Sequence, residues 1–144
     1  MKVALLDVNV LLAMAWPNHQ HHAQAHAWFA RESKHGWATL AAVQLAFVRL
    51  SSNPAYTPDA VRPSDAAGLL KQWIAHPAHR TWASPTAADS SIFERALGHQ
   101  QVNDAYLVAA ARMAKGRLVT FDRRLLAHDP AGTLVSVIAP EEGD

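Results

Sequence analysis

Three aspartates stand where their surroundings are least polar. Asp7 interrupts the run VALLDVNVLLAMAW, in which only Asp7 and Asn9 are polar. Asp104 opens NDAYLVAAARMAKG, whose first nine residues carry no other charge, and Asp122 follows the apolar stretch RLVTF. Taken singly, each could simply cap a helix, worth about 1 kcal/mol, with about 0.3–1 kcal/mol more from the helix dipole. Taken together they could do other chemistry. Two like charges about 4 Å apart at an effective dielectric of 20 repel by about 4 kcal/mol, so carboxylates that converge need protons or a divalent cation. Three oxygen donors without His or Cys suit a hard ion, Mg²⁺ or Mn²⁺.

Convergence depends on the elements that carry the acids. Residues 2–6, 117–121 and 133–138 read as unalternated apolar strands, the pattern of a sheet covered on both faces, and residues 36–40 and 80–83 as weaker strands. Helical spacing runs over residues 22–34, 43–52, 89–97 and 103–115. Leu69, Leu70, Trp73 and Ile74 form a further stripe behind the start signals Pro63 and Ser64. Asn53-Pro54 and Gly116 act as stops. Strands alternating with helices imply an α/β fold in three layers around a mostly parallel sheet built from βαβ units. In such units helix N-termini and strand carboxyl ends share an edge. Asp7 and Asp122 end strands and Asp104 begins a helix, which assigns all three to that edge. The helix after Asp104 has a stripe of Val102, Ala105, Tyr106, Ala109 and Met113, and Leu107, Val108 and Ala111 make its other face apolar, so burial nearly all round is expected. Trp16, Trp28, Trp37, Trp73 and Trp82 sit among apolar neighbours and read as core or interface.

The 144 residues, half of them hydrophobic, suit one domain spanning residues 1–144, with the acidic residues 141–144 as a loose tail. Thirteen Lys and Arg against twelve Asp and Glu give a formal charge of +1, so no global field draws nucleic acid or an anionic membrane, and any polyanion site must be local. Absence of cysteine excludes disulfides, thiolate metal sites and cysteine nucleophiles. Lys2 before an apolar stretch imitates a signal peptide, but Asp7 interrupts it, and no apolar run approaches the ~20 residues of a membrane span. The expectation is a soluble cytoplasmic protein. NHQHHAQAH sets His22 and His26 at the i, i+4 spacing of zinc ligands, with His19 and His21 nearby. No Glu lies inside the pair and no third ligand is in register, which favours an amphipathic helix surface. A strand ending in Asp also suits the aspartyl nucleophile of haloacid-dehalogenase phosphohydrolases, but Asn9 stands where their second acid belongs.

Four segments together carry a more specific resemblance. They are the strand ending in Asp7-Val8-Asn9, GWATLAAVQLAFVRLSSNPA over residues 36–55, NDAYLVAAA with Asp104, and LVTFDRRL with Asp122 and Arg123. In this order and spacing the chain resembles the PIN-domain ribonucleases, in particular the VapC toxins of bacterial toxin-antitoxin pairs, over nearly its whole length. The resemblance implies a PIN-like parallel sheet of five strands wrapped by helices and RNA cleavage with Mg²⁺ or Mn²⁺ held by Asp7, Asp104 and Asp122. It also implies homodimerisation and inhibition by a small VapB-like antitoxin. Most relatives carry a Glu early in the third helix, where this chain has Gln44, which offers a carbonyl oxygen without charge. Two expectations follow: an active enzyme in which Gln44 orients water, or a degenerate module that binds RNA or protein without cleaving. The intact aspartates favour the first. Asn9 and Thr120 are expected either to aim the acids or to satisfy only local backbone, Arg123 to meet a substrate phosphate, pair with an acid or be a solvated surface arginine, and Arg124 to be a solvated surface arginine.

Overall fold

Five short strands, β1 (Ala4–Leu6), β2 (Trp37–Thr39), β3 (His79–Thr81), β4 (Arg117–Thr120) and β5 (Val135–Val137), pair in parallel in the order β3-β2-β1-β4-β5. The structure, a computed structural model, describes residues 1–139; the acidic end expected to be a loose tail lies outside them. β1, β2 and all of β4 but Arg117 are buried, whereas the edge strand β3 is largely exposed. This is the three-layer α/β architecture that the alternation of elements implies, and the unalternated apolar runs are the central strands that helices cover on both faces. No helix of the described residues is long and apolar enough to cross a membrane.

Five α-helices connect the strands: α1 (Val8–Ala15), α2 (His22–Glu32), α3 (Ala41–Ser51), α4 (Pro63–Ile74) and α5 (Val102–Met113). Helix α1 is buried at five successive positions, Val10 to Met14, which its charge-free sequence VNVLLAMA permits. The all-round burial expected of the helix after Asp104 holds for the middle of α5 and is matched in α1. In α5, Ala105 and Leu107 to Ala111 are buried, whereas Val102 and Met113, at its two ends, are exposed. A correction concerns residues 89–97. They form a 3₁₀ helix over Ser90–Phe93 and turns, not an α-helix. Asp89 Oδ1 accepts from the Ser91 amide at 3.0 Å and from its hydroxyl at 2.6 Å, local bonds that compete with helical ones, and only Ile92, Phe93 and Ala96 are half-buried.

The end of α5 sets where β4 begins. Lys115 takes the left-handed conformation (φ 56°), its amide bonds the Arg112 carbonyl and that of Gly116 bonds the Ala111 carbonyl, the Schellman arrangement. A Cβ on Gly116 would stand 2.3 Å from the Trp82 ring and 2.8 Å from the Val3 carbonyl, so only glycine lets the chain turn here against β1. Trp28 and Trp37 are core residues, and Trp16, Trp73 and Trp82 pack against the core half-buried.

Candidate active site

The strand order reverses at β1. The chain leaves β1 toward β2 and β3, then returns on its other side as β4 and β5. In open parallel sheets the crevice beyond the carboxyl ends at such a switch point is where ligands bind. Asp7 follows β1 and Asp122 lies two residues past β4, so the two acids flank that crevice, while Asp104 lies in the first turn of α5.

Asp7 is 9% exposed and caps α1, with Oδ1 2.7 Å from the Val8 amide. Its Oδ2 accepts from the Thr120 hydroxyl at 2.8 Å. Thr120, fully buried at the end of β4, accepts in turn from Asn9 Nδ2 at 3.2 Å and from the Asp122 amide at 3.0 Å. Asn9 Oδ1 accepts from the Phe121 amide at 3.2 Å. One hydroxyl thus uses its proton and both lone pairs to tie Asp7 to the backbone of Asp122. Asn9 and Thr120 are thus joined to each other, and Thr120 to the Asp7 carboxylate and the Asp122 amide.

The three carboxylates feel one another. Burial pushes Asp7 above the usual carboxylate range; the Thr120 and Val8 bonds oppose this, and the charges of Asp104 and Asp122 reinforce it. Asp104 is likewise raised, by burial and then by Asp122, against the pull of His128 and Arg124. Asp122 goes the other way because Arg124 grips it: Nε lies 3.0 and 3.1 Å from the two carboxylate oxygens and Nη2 2.8 Å from Oδ2. The acid-pairing role expected of Arg123 falls to Arg124, and the reading of Arg124 as a merely solvated arginine is corrected. Asp122 caps the 3₁₀ helix Arg123–His128 through the Arg124 amide at 2.9 Å, which brings residue 124 and not the exposed residue 123 over the carboxylate.

Gln44 is not gathered with the acids. Its amide nitrogen donates to Thr39 Oγ1 at 2.9 Å and lies 3.5 Å from Thr81 Oγ1, on the β2–β3 side. The reason is helical rotation: on α3, Ala42, Leu45, Ala46 and Arg49 turn toward α5, and Gln44 lies off that face. The histidines also resolve into structure. His22 Nδ1 lies 2.7 Å from the Ala13 carbonyl and His26 Nε2 3.0 Å from that of Met14, so the i, i+4 pair caps the carboxyl end of α1.

A matching model for the PIN domain spans residues 4–129. Over 138 residues the chain is 41% identical to Ribonuclease VapC39 of Mycobacterium tuberculosis, covering 94% of this chain and 99% of that one. The chain belongs to the VapC family of PIN-domain ribonucleases. Identity to Ribonuclease VapC38 of the same species is also 41%, over 83% of this chain and 85% of the relative. The crystal structure of PAE2754 from Pyrobaculum aerophilum, 21% identical, matches with a TM-score of 0.62 over 93% of this chain and 83% of that one, a likeness of fold.

A PIN domain implies a divalent cation, and the donor chemistry of this edge fits one. Three hard oxygen donors share it, and two of them, Asp7 and Asp104, are held above their usual range by burial and in smaller part by neighbouring acids, Asp104 and Asp122 for Asp7 and Asp122 for Asp104, a strain that a cation would relieve. Among the described residues no three acidic or histidine side chains stand close enough together to hold an ion. Arg124 occupies both oxygens of Asp122. Sequence reasoning also missed the groove beside Asp7. About 220 Å³ in volume, it runs between α3 and α5 and takes in Arg49, Asn103 and Tyr106. A larger cavity of about 450 Å³ lies away from the acids, between α2 and β5, so size alone does not mark this site.

Proposed function

We propose that the chain is the toxin of a toxin-antitoxin pair, an endoribonuclease in which Asp7, Asp104 and Asp122 hold Mg²⁺ or Mn²⁺ against an RNA phosphodiester. The observation that carries this reading is the electrostatic coupling of the three carboxylates at one sheet edge. A phosphodiester is anionic, and so is this edge. The cation, when bound, supplies Lewis-acid stabilisation of the phosphoryl oxygens and lowers the pKa of an attacking water.

The remaining work belongs to the chain's own groups. Thr120 keeps Asp7 Oδ2 fixed by donating to it, and Asn9 fixes Thr120, so the buried carboxylate is aimed before substrate arrives. Arg124 neutralises Asp122 in the free protein and, were that carboxylate to hold a cation, would be available to a substrate phosphate. Gln44 supports Thr39 from outside this set. The binding-only alternative gains no support from it, because the residue that raised it is engaged elsewhere and the relatives matched over most of the chain are ribonucleases. Its partners in this reading are single-stranded RNA, a VapB-like antitoxin and a second copy of the chain, in the cytoplasm.

Purified protein incubated with single-stranded RNA tests the proposal. Cleavage with Mg²⁺ or Mn²⁺, lost in EDTA and in Asp104→Asn, is expected. RNA left intact with either ion, together with gain of cleavage in Gln44→Glu, would establish the degenerate module instead.

A further inference from the structure

The groove beside Asp7 lies between α3 and α5. Its α3 wall, Ala42, Leu45, Ala46 and Arg49, follows the i, i+3, i+4, i+7 rule of one helix face. Leu45 is 66% exposed, and Arg49 at the end of the stripe is exposed too. Opposite, α5 presents Asn103 and Tyr106. The Tyr106 hydroxyl donates to the Pro85 carbonyl at 2.5 Å, which anchors its ring. Asp7, in the same lining, is bonded to Val8 and Thr120. Neither the Arg49 guanidinium nor the Asn103 amide has a hydrogen bond or ion pair among the described residues. The groove is thus apolar-walled, contains one aromatic ring, and has two unengaged polar groups, a planar cation and an amide.

Resting on the nuclease reading, we propose that this groove is a nucleotide subsite for the unpaired base next to the phosphodiester held at the acids. RNA read by sequence is read mostly from unstacked bases, packed on aromatic and apolar surface and hydrogen-bonded at their edges. The Tyr106 ring and Leu45 supply the surface and the Asn103 amide the edge contact. Arg49 meets the flanking phosphate, whose charge the neighbouring Asp7 would otherwise repel. Charge and hydrogen-bonding capacity select this occupant: the unengaged Arg49 guanidinium and Asn103 amide suit an anionic, acceptor-rich ligand. The subsite makes the enzyme specific for single-stranded RNA and for the base beside the cut.

The test uses the full chain carrying Asp104→Asn, so that bound RNA stays intact, and fluorescent single-stranded RNAs differing at one position. Arg49→Ala is expected to weaken binding to all of them alike and to reduce the salt slope by about one, the behaviour of a lost phosphate contact. Asn103→Ala is expected to flatten the preference for one base by roughly tenfold. Leu45→Glu, at an exposed position that the fold tolerates, is expected to weaken binding of every RNA. In the cleaving parent, the same three changes move or blur the cleavage sequence. Groove variants that melt like the parent, bind as it does and cut at the same base would overturn the subsite. So would an Asp104→Asn chain that binds no RNA. The underlying reading fails by a different result, undiminished cleavage by Asp104→Asn.

Discussion

Two threonines flank β1 at the carboxyl edge of the sheet, and the contrast between them locates the chemistry. Thr39 ends β2 and Thr120 ends β4; both are fully buried and both are hubs of side-chain hydrogen bonds. Thr39 Oγ1 receives Gln44 Nε2 at 2.9 Å and meets His79 Nε2 at 2.8 Å. Burial keeps His79 below the usual imidazole value, so this hub is neutral and its bonds are mutually satisfied. Thr120 is equally saturated, yet its partners belong to acids that repel one another. The same hub chemistry therefore stabilises on one side of β1 and holds unfavourable charge in place on the other. Hydrogen bonding alone does not distinguish structure from function here; the residual electrostatic strain does.

The largest effect that could break this contrast is on catalysis. Asp7→Asn or Asp104→Asn is expected to lower RNA cleavage by roughly 10²–10³-fold, read as initial rate with Mn²⁺. Next are the threonines themselves. Thr120→Val is expected to lose about 10- to 100-fold in rate through misaimed Asp7. Thr39→Val leaves two half-buried partners unsatisfied and is expected to cost about 1 kcal/mol of stability, with the rate per folded molecule unchanged. Equal rate losses in the two variants would erase the distinction.

A smaller effect concerns pH. Asp7 is held above its ordinary value, so the folded chain binds more protons than the unfolded one between the two values, and stability is lost as pH rises through that window and stays lost at neutral pH. Asp7→Asn is thus expected to raise Tm at pH 7, on the order of 3 °C, and to lose that advantage in acid below the ordinary carboxylate value. Asp122 has the opposite sign: its lowered value contributes stability at neutral pH that is lost as pH falls through it. The smallest effect is Arg124→Ala. It is expected to change stability little, since Arg124 is exposed, but to tighten Mn²⁺ binding several-fold by freeing Asp122, as measured by calorimetry.

The sheet and the acidic edge were legible because they rest on one-dimensional signals. Apolar runs without alternation marked the buried strands, and although Asp7 and Asp122 each cap a helix, the βαβ connection assigned both to one edge. Asn9 and Thr120 were legible for the same reason, being polar where the run allowed nothing polar. What the sequence hid depends on angles. Gln44 and Leu45 are neighbours in the chain, but 100° of helical rotation sends one to Thr39 and the other to the Asp7 groove. Arg123 and Arg124 are indistinguishable as letters, and the cap made by Asp122 decides which one grips it. Residues 89–97 misled because periodicity was present while the buried face that would sustain a helix was not.

The account rests on three carboxylates at the switch point acting as one cation site. Its most direct test is a crystal soaked in Mn²⁺ and measured for anomalous scattering. The predicted result is ion density bounded by Asp7, Asp104 and Asp122, with Arg124 withdrawn from Asp122 and Gln44 still on Thr39. An edge that binds no ion, or an ion held elsewhere while Arg124 keeps its grip, would contradict it.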